Sequence, residues 1–219
     1  MADLNRDADL NKDPVALHFD RSIASLQRAA GDDELRAAIR AIAEAVERAM
    51  RAGGKLLIAG NGGSAGDAQH IAGEFLSRLN FDRDPLPAIA LTTDTSALTA
   101  IGNDYGFEQI FARQVRGLGR RNDVFLAIST SGRSPNVLAA LRAAREAGLV
   151  TVGFTGSRGG GAMRELCDLC LCAPADETPL IQQIHIVAAH AICGLVESAM
   201  FRDGRVGRAG AATAREKAI

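Results

Sequence analysis

Apolar residues follow two different periods in this chain, and the change between them separates an N-terminal part from a longer alternating part. In the N-terminal part they recur every three or four positions, which predicts one helix over 14–29 and a second over about 35–50. From Lys55 onward, short apolar runs alternate with helical patterns. The short runs predict five strands, at 55–59, 88–92, 123–128, 150–154 and 168–173.

The alternation of strands and helices predicts a parallel sheet with helices on both of its faces. The helical patterns between and after the strands cover 65–79, 95–102, 107–118, 135–147 and 179–200, with one short helix after the fourth strand. The fold class is therefore α/β, in three layers, with two helices outside the alternating unit. Ligands in such folds bind at the carboxyl ends of the strands, so the loops at that edge are where chemistry is expected.

Composition narrows the functional classes. The chain has 219 residues and is 47% hydrophobic, enough for the core of one domain. Its formal net charge of −1 offers no basic surface for nucleic acid. No apolar run approaches the roughly 20 residues of a membrane span, and the polar start does not resemble a signal peptide. The sequence thus predicts a cytoplasmic protein that binds neither nucleic acid nor membrane.

The cysteines do not predict a disulfide framework in a chain of this length. There are four of them, at Cys167, Cys170, Cys172 and Cys193. Cys167 and Cys170 have the spacing of a metal knuckle, but a second knuckle is missing. Cys170 and Cys172 alternate as they would on one face of a strand. We interpret these residues as reduced thiols that act as small hydrophobic side chains.

The loop after the first strand is rich in glycine and opens a helix. Residues 55–78 read KLLIAGNGGSAGDAQHIAGEFLSR. The glycines let the backbone approach an anion closely at the start of a helix. The same run matches the dinucleotide fingerprint G-x-G-x-x-A, so nucleotide binding stays open as an alternative at this point. Against it, the chain leaves little room for a separate substrate domain.

The loop after the third strand is a second candidate anion site. Residues 129–135 read STSGRSP, and Pro135 suits the first position of the following helix. Hydroxyl groups and the free N–H groups of a helix N-terminus together bind phosphate well. An ordinary helix cap is the simpler interpretation, but a cap needs fewer hydroxyl groups than this loop offers. The loop therefore favours a phosphorylated ligand.

Two helices carry candidate acid, base and metal-binding groups. His70 and Glu74 are four residues apart, so they share one face of the helix after the glycine loop, in a stripe with Asp67 and Arg78. In the last helix Gln182 and His190 are eight residues apart and also share a face, whereas His185 lies on another side. If the two faces met, two imidazoles, a carboxylate and an amide would suit zinc or a related divalent ion, or provide an acid and a base. A solvated face with a Glu74–Arg78 ion pair is the alternative.

Four stretches of the sequence together resemble the sugar isomerase (SIS) domain family, and within it the phosphoheptose isomerases. They lie in order within 35–200 and read GNGGSAGDAQHIAGEF, LTTDTSALTAIGNDYGFEQIFARQV, GRRNDVFLAISTSGRSPNVL and TPLIQQIHIVAAHAICGLVE. The resemblance implies a SIS-type three-layer sandwich with a five-stranded parallel sheet. It divides the chain into an N-terminal helical arm (1–34), the SIS domain (35–200) and a disordered tail (201–219).

The resemblance also implies an activity and an assembly. Members convert sedoheptulose 7-phosphate to D-glycero-D-manno-heptose 7-phosphate through an enediol, for the heptose of cell-surface glycans such as lipopolysaccharide. They form homotetramers with active sites at subunit interfaces, and they bind one Zn²⁺ per subunit. The expected partner of the chain is therefore a sugar phosphate, together with further copies of itself.

Matching the motifs position by position implies a role for each site residue. The phosphate loop is Ser129, Thr130, Ser131 and Ser134. Further substrate contacts are expected from Asn61, Gly62, Gly63, Ser64, Glu74, Asn103, Asp104 and Gln182. The zinc ligands are expected to be His70, Glu74, Gln182 and His190, with Glu74 as catalytic base and His190 as catalytic acid.

The chain departs from the family pattern at three positions near these motifs. Gln183 replaces a usual Glu, Leu180 replaces a frequent Arg, and Gly66 replaces a frequent Ala. The resemblance also leaves a second interpretation open, because some relatives are non-catalytic SIS proteins that bind a sugar phosphate or the replication initiator. Such relatives have lost part of the His/Glu/His set, and its presence here favours the enzyme.

Overall fold

The computed structural model describes residues 13–157 and 160–201. Two helices, α1 (Pro14–Gly31) and α2 (Asp33–Arg51), precede the alternating unit. That unit comprises β1 (Leu56–Gly60), α3 (Gly63–Leu76), β2 (Ala88–Ala90), α4 (Thr95–Tyr105), α5 (Ile110–Leu118), β3 (Val124–Ile128), α6 (Pro135–Glu146), β4 (Val150–Gly156), α7 (Gly160–Leu166), β5 (Leu169–Ala173) and α8 (Thr178–Phe201). A 3₁₀ turn (Phe107–Gln109) leads into α5. The tail predicted beyond Phe201 lies outside the described residues.

The five strands form one parallel sheet in the order β2-β1-β3-β4-β5. The chain runs from β1 outward to β2 and then returns to place β3 on the other side of β1. The carboxyl ends of β1 and β3 are therefore the topological switch point, where open parallel sheets bind their ligands. Both loops that the sequence singled out, at 60–64 and 129–134, begin at these two strand ends.

Helices cover both faces of the sheet, which makes the three predicted layers. On β1, Leu56 and Ile58 point into a core shared with α2, α3 and α8, whereas Leu57 and Ala59 point into a core shared with α5 and α6. All four side chains are at most 2% exposed. Strands buried on both faces read as continuous apolar runs, which is why the sequence showed them so clearly.

The two N-terminal helices are separated by a capping residue. Asp32 ends α1 and accepts a hydrogen bond from the Leu35 N–H at 3.0 Å, which caps α2. Arg21 of α1 forms an ion pair with Glu177 before α8, so the arm is tied to the last helix. The outer side of α1 is apolar, because Val15 and Phe19 are each 62% exposed.

The helix α3 is shorter than its predicted span of 65–79. It ends at Leu76, and the Ser77 N–H closes the last turn on the Gly73 carbonyl at 2.8 Å. Arg78 is exposed and lies beyond the helix, so the predicted stripe from Asp67 to Arg78 stops at Glu74. The helix ends here because the N–H groups of residues 79 and 80 donate to the Glu197 carboxylate and not to carbonyl groups of the helix.

The helix α8 runs against the sheet and carries buried polar groups. Among the described residues it is the one helix that, by length and composition alone, could cross a membrane. Its Glu197 and His185 side chains are 0% and 1% exposed and face protein, as in the core helix of a globular domain. His185 donates from Nε2 to the Thr155 carbonyl at 3.1 Å and therefore has a structural place outside the candidate site, as the sequence predicted.

Burial of His185 predicts a loss of stability in mild acid. Burial lowers the pKa of His185 from 6.5 to about 4, and the hydrogen bond to Thr155 only partly opposes this shift. The neutral form of His185 therefore favours the folded state. Its contribution to stability is complete above the unfolded pKa of 6.5 and is lost as the pH falls towards the folded pKa. We expect His185 to remove about 3 kcal/mol of unfolding free energy between those limits.

The measurement is urea unfolding of the wild type and of His185→Gln across that pH range. Gln can still donate to the Thr155 carbonyl but does not titrate, so the pH slope of the variant should be shallower. His18→Gln is the matched control, because His18 is exposed on α1. An unchanged slope in His185→Gln would mean that other groups cause the acid sensitivity.

Candidate active site

The glycine loop and the serine loop are tied together at the switch point. The side-chain amides of Asn61 and Asn136 exchange two hydrogen bonds, each 2.9 Å long. Asn61 directly follows β1, and Asn136 lies in the first turn of α6. This pair places the N-termini of α3 and α6 side by side. Sequence reasoning assigned Asn61 to the substrate and missed Asn136, because nothing local indicates a partner 75 positions away.

The glycine loop leaves the start of α3 open. Gly62 precedes the helix with φ +55°, a conformation that favours glycine, and it provides no side-chain cap. Gly63 allows the Gln182 side chain to approach the backbone of the loop closely, because a Cβ at Gly63 would stand 2.3 Å from the Gln182 amide nitrogen. Ser64 is buried, 3% exposed. Within the first turn the N–H groups of Ser64, Ala65 and Gly66 donate to the carbonyls of Asn61 and Gly62, so it is mainly the helix dipole that favours an anion here.

The serine loop forms a compact cradle at the start of α6. The Oγ atoms of Ser129 and Ser134 are 3.0 Å apart, and Ser131 Oγ accepts the Arg133 N–H at 3.3 Å. Gly132 turns the loop with φ +62°, and its N–H closes on the Ser129 carbonyl. Ser134 is the N-cap residue, yet its hydroxyl does not cap the helix. Its hydroxyl pairs with that of Ser129 instead, and the helix dipole at this end favours a phosphate group.

Three of the predicted metal and catalytic residues meet between α3 and α8. The Nε2 atoms of His70 and His190 are 2.8 Å apart, and His70 Nε2 lies 3.3 Å from Glu74 Oε1. The two imidazole rings stand edge to face. The side chains of His70 and Glu74 are 47% and 20% exposed, so a small ligand can reach them. The alternative of a Glu74–Arg78 ion pair on one helix face is therefore wrong, since the helix ends before Arg78.

The donor set suits a divalent metal ion. One ligand atom from each of His70, Glu74 and His190 lies within 4.8 Å of the others. Ligands on one tetrahedral zinc ion lie about 3.3 Å apart, so small rotations of these side chains would place all three on one ion. Two neutral imidazoles and one carboxylate are also the ligand types that zinc enzymes use, with a further position open to substrate. The same three groups can alternatively act as a base, an acid and a hydrogen-bond partner.

The structure places the remaining predicted residues at different distances from this cluster. Gln182 packs against Gly63, seven positions before His70 and so roughly 10 Å along α3. Its side chain contacts the glycine loop, and its role as a metal ligand stays a prediction. Asn103 and Asp104 are exposed at the end of α4, where the Asn103 amide donates to Asp104 at 2.8 Å.

Asp67 is a polar group of the site that the sequence did not single out for a role. Its Oδ2 atom is buried and has no hydrogen-bond partner in the protein. Burial raises the pKa of Asp67, and the nearby His70 opposes this shift. The Oε1 atom of Gln183, where the family usually has Glu, is also buried without a partner. A perturbed carboxyl one turn before His70 marks Asp67 as part of the site.

A buried ion pair behind the site holds α3 against α8. Glu197 of α8 accepts the N–H groups of Leu79 and Asn80 and pairs with Arg83 at 3.1 Å. Arg83 in turn donates to the carbonyls of Glu74 and of Phe75, at 2.8 and 2.7 Å. The side chains of Arg83 and Glu197 are 2% and 1% exposed. This network joins the backbone of Glu74 to the helix that carries His190.

Comparison with known proteins identifies the family of the chain. The family model described as "SIS domain" matches residues 18–156, which is more than half of the chain. The chain belongs to the SIS domain family. A phosphoheptose isomerase of Bradyrhizobium sp. (strain ORS 278) is 61% identical over 191 residues, which is 87% of this chain and 96% of that relative. One of Burkholderia pseudomallei (strain K96243) is 57% identical over 188 residues, 84% and 95% of the two chains.

Solved structures show the same SIS architecture. A phosphoheptose isomerase structure from Neisseria gonorrhoeae superposes with a TM-score of 0.78 at 44% identity, covering 84% of this chain and 97% of that one. One from Francisella tularensis gives a TM-score of 0.80 at 38% identity, covering 84% and 96%. The predicted fold class and the predicted family are both confirmed.

Proposed function

We propose that this SIS protein is a phosphoheptose isomerase that converts sedoheptulose 7-phosphate to D-glycero-D-manno-heptose 7-phosphate. The observation that carries the proposal is the convergence of His70, Glu74 and His190 from two helices, beside an open phosphate cradle. The phosphoheptose isomerases that the chain resembles at 57% and 61% identity cover most of its length. A sugar-phosphate isomerase needs both features, a site that holds the phosphate and a base that moves a proton between carbons.

The phosphate end of the substrate is held by the serine loop. Ser129, Thr130, Ser131 and Ser134 offer hydroxyl groups at the N-terminus of α6, where the helix dipole favours an anion. The sugar hydroxyls lie along the glycine loop, within reach of Asn61 and Ser64 and of the Gln182 amide. This fixed end orients the carbonyl end of the sugar towards His70, Glu74 and His190.

Proton transfer then follows from the placement of Glu74 and His190. The Glu74 carboxylate removes the proton from C1 of the ketose, and the electron pair forms the enediol double bond. The same proton returns to C2, while His190 moves a proton from the C1 hydroxyl to the C2 oxygen. The product is the aldose, with no net gain or loss of atoms. The Arg83 network fixes the backbone of Glu74 during these steps.

The cluster also suits a resident Zn²⁺, held by His70, Glu74 and His190, with Gln182 as a fourth ligand. When bound, such an ion polarises the two substrate oxygens and stabilises negative charge on them. Glu74 cannot be both a tight ligand and a free base at one moment. If Glu74 held the ion, its carboxylate would have to be free of the ion in order to act as the base.

We also propose that the protein works as a cytoplasmic homotetramer with active sites at subunit interfaces. Exposed apolar side chains support such an assembly, on α1 (Val15, Phe19 and Ile23) and on α8 (Val187 and Leu195). These side chains are 45–62% exposed. Asn103 and Asp104 would then complete a site of a neighbouring subunit, since they are exposed on their own.

A non-catalytic SIS protein that binds a sugar phosphate or the replication initiator is the second candidate. It needs the serine cradle but not the cluster of two imidazoles and a carboxylate. The cluster is present and partly exposed to solvent, which favours the enzyme.

The decisive experiment is incubation of the purified protein with sedoheptulose 7-phosphate. We expect the aldose heptose 7-phosphate to appear in the NMR spectrum, because both the phosphate cradle and the base are in place. A panel of five- and six-carbon ketose phosphates serves as the specificity control and should react more slowly. Absence of turnover, with and without added Zn²⁺, combined with tight binding of the heptose phosphate, would support the non-catalytic candidate instead.

Elemental analysis tests the proposed metal, and light scattering tests the proposed assembly. Elemental analysis of protein purified without chelators should give about one zinc per chain, and His70→Ala should retain only traces because one of the four proposed protein ligands is lost. Light scattering should give four times the mass of the chain. Metal-free, fully active protein would disprove the zinc proposal, and a monomer that turns over substrate would disprove the tetramer proposal.

A further inference from the structure

Three cysteine side chains form a cluster on the opposite side of the sheet from α8. Cys170 and Cys172 follow each other on one face of the edge strand β5, with their sulfur atoms 4.0 Å apart. The sulfur atom of Cys167, which directly follows α7, lies over Gly153, the residue of β4 that pairs with Cys170. The three thiols therefore lie close together on one face of the sheet. All three residues are partly exposed free thiols.

A glycine in the neighbouring strand makes room for the third sulfur atom. Gly153 of β4 pairs with Cys170, and a Cβ at Gly153 would stand 2.7 Å from the sulfur of Cys167. The Cys167 thiol thus occupies the place of a side chain on β4. Met163 of α7 is 0% exposed and covers the same glycine, with its Cγ and Cε atoms at 3.4 and 3.3 Å from that position. A soft thioether therefore lies against the thiol cluster.

A buried hydroxyl group without a partner lies at the same place. Thr155 pairs with Cys172 across β4 and β5, so both side chains point to one face of the sheet. Thr155 is 0% exposed, and its Oγ1 atom has no hydrogen-bond partner in the protein. Such an orphan polar group is uncommon in a folded interior and indicates a ligand that is bound there at some stage.

From this arrangement the structure assigns a binding site for one thiophilic d¹⁰ metal ion to Cys167, Cys170 and Cys172, with Met163 and Thr155 beside it. Thiolate and thioether ligands select soft ions of this class over the harder ions that imidazole and carboxylate prefer. The site is separate from the His70–Glu74–His190 cluster, which contains no sulfur. Rotation about the χ1 angles of Cys167 and Cys172 brings their sulfur atoms towards that of Cys170.

The electrostatics of the cluster favour the protonated forms of Cys170 and Cys172 when no metal is bound. Hydrogen bonding to Cys167 raises the pKa of Cys170 to about 11, and hydrogen bonding to Cys170 raises the pKa of Cys172 as well. The Arg164 guanidinium on α7 acts in the opposite direction on both thiols. Binding of Cd²⁺ as a probe displaces the thiol protons to solvent and forms three Cd–S bonds, so the ion and its three thiolates carry one net negative charge opposite Arg164.

The test is a titration of the full chain with Cd²⁺ after reduction by a phosphine. Sulfur-to-cadmium charge-transfer absorption should rise and saturate at one ion per chain, and ions at His70, Glu74 and His190 are silent in this signal. The apparent affinity should fall as the pH is lowered, because protons compete with the ion for the thiolates. Cys193→Ser is the matched control, since Cys193 lies buried in the other core, and it should titrate like the wild type.

Cys170→Ser should abolish the charge-transfer absorption, and circular dichroism with the melting temperature shows whether that variant is folded. X-ray absorption at the cadmium edge of the wild-type complex provides a test without substitution, and it should show sulfur neighbours. Absence of the charge-transfer signal in the folded wild type, its persistence in Cys170→Ser, or a purely nitrogen and oxygen environment would each overturn the assignment.

Discussion

Glu74→Gln is expected to lower kcat for sedoheptulose 7-phosphate by about 10²–10⁴-fold and to leave substrate affinity nearly unchanged. The amide has the shape of the carboxylate but cannot accept the proton from C1. The groups proposed to bind the phosphate are on a different loop, after β3, so the substitution leaves them intact. The measurements are steady-state kinetics and substrate binding by calorimetry, with Glu146→Gln at the exposed end of α6 as the control.

The same variant separates the two roles of Glu74. Loss of the carboxylate also removes one of the four proposed metal ligands, so the zinc content of Glu74→Gln has to be measured together with its activity. If activity returned on addition of excess zinc, Glu74 would be a ligand and another group the base. If the zinc content were normal and activity absent, the base assignment would be supported. Normal activity at any zinc content would contradict both roles.

Glu197→Gln is expected to lower the free energy of unfolding by about 3–5 kcal/mol, which makes it the largest stability effect predicted for the chain. The substitution leaves the Arg83 guanidinium buried without a counter-charge and weakens the hold on the N–H groups of Leu79 and Asn80. Burial by itself would raise the pKa of Glu197, but these hydrogen bonds lower it below its ordinary value. The carboxylate therefore stabilises the fold above its unfolded pKa, and this stability is lost as the pH falls through the folded pKa.

The measurement is denaturant unfolding at neutral pH, together with kcat. Glu44→Gln provides the control, because its pair with Arg48 is 3.8 Å long and exposed, and such pairs contribute about 0–1 kcal/mol. We also expect a lower kcat in Glu197→Gln at temperatures where it is fully folded, since Arg83 then holds the Glu74 carbonyl less firmly. A destabilisation no larger than that of Glu44→Gln would show that the Arg83–Glu197 ion pair does not contribute to stability as predicted.

The sequence determined the architecture because the relevant signals are local. A strand buried on both faces must be apolar throughout, and a helix shows its buried side every three or four residues. Every predicted strand and helix is present, with ends within three residues of the prediction. Parallel strands place their carboxyl ends at one edge, so the glycine and serine loops could be assigned to one site before any coordinates.

Helical spacing likewise determined that His70 and Glu74 share a face. Whether His190 joins them depends on how α8 packs against α3, and no local pattern encodes a contact across 120 positions. The same limit applies to the Asn61–Asn136 amide pair and to the Arg83–Glu197 pair. Their partners lie 75 and 114 positions apart and meet only through the packing of separate elements.

Tertiary structure also changed the interpretation of one residue that the sequence had described, and it placed others more exactly. Arg78 follows the helical spacing of Glu74, but the buried Glu197 carboxylate takes the next backbone groups and α3 ends first. The cysteines of β5 are free thiols, as the sequence predicted, and Gly153 admits the sulfur of Cys167 beside them. Sequence period determines which face a residue occupies. What faces it across the core is decided by the packing of whole helices and strands.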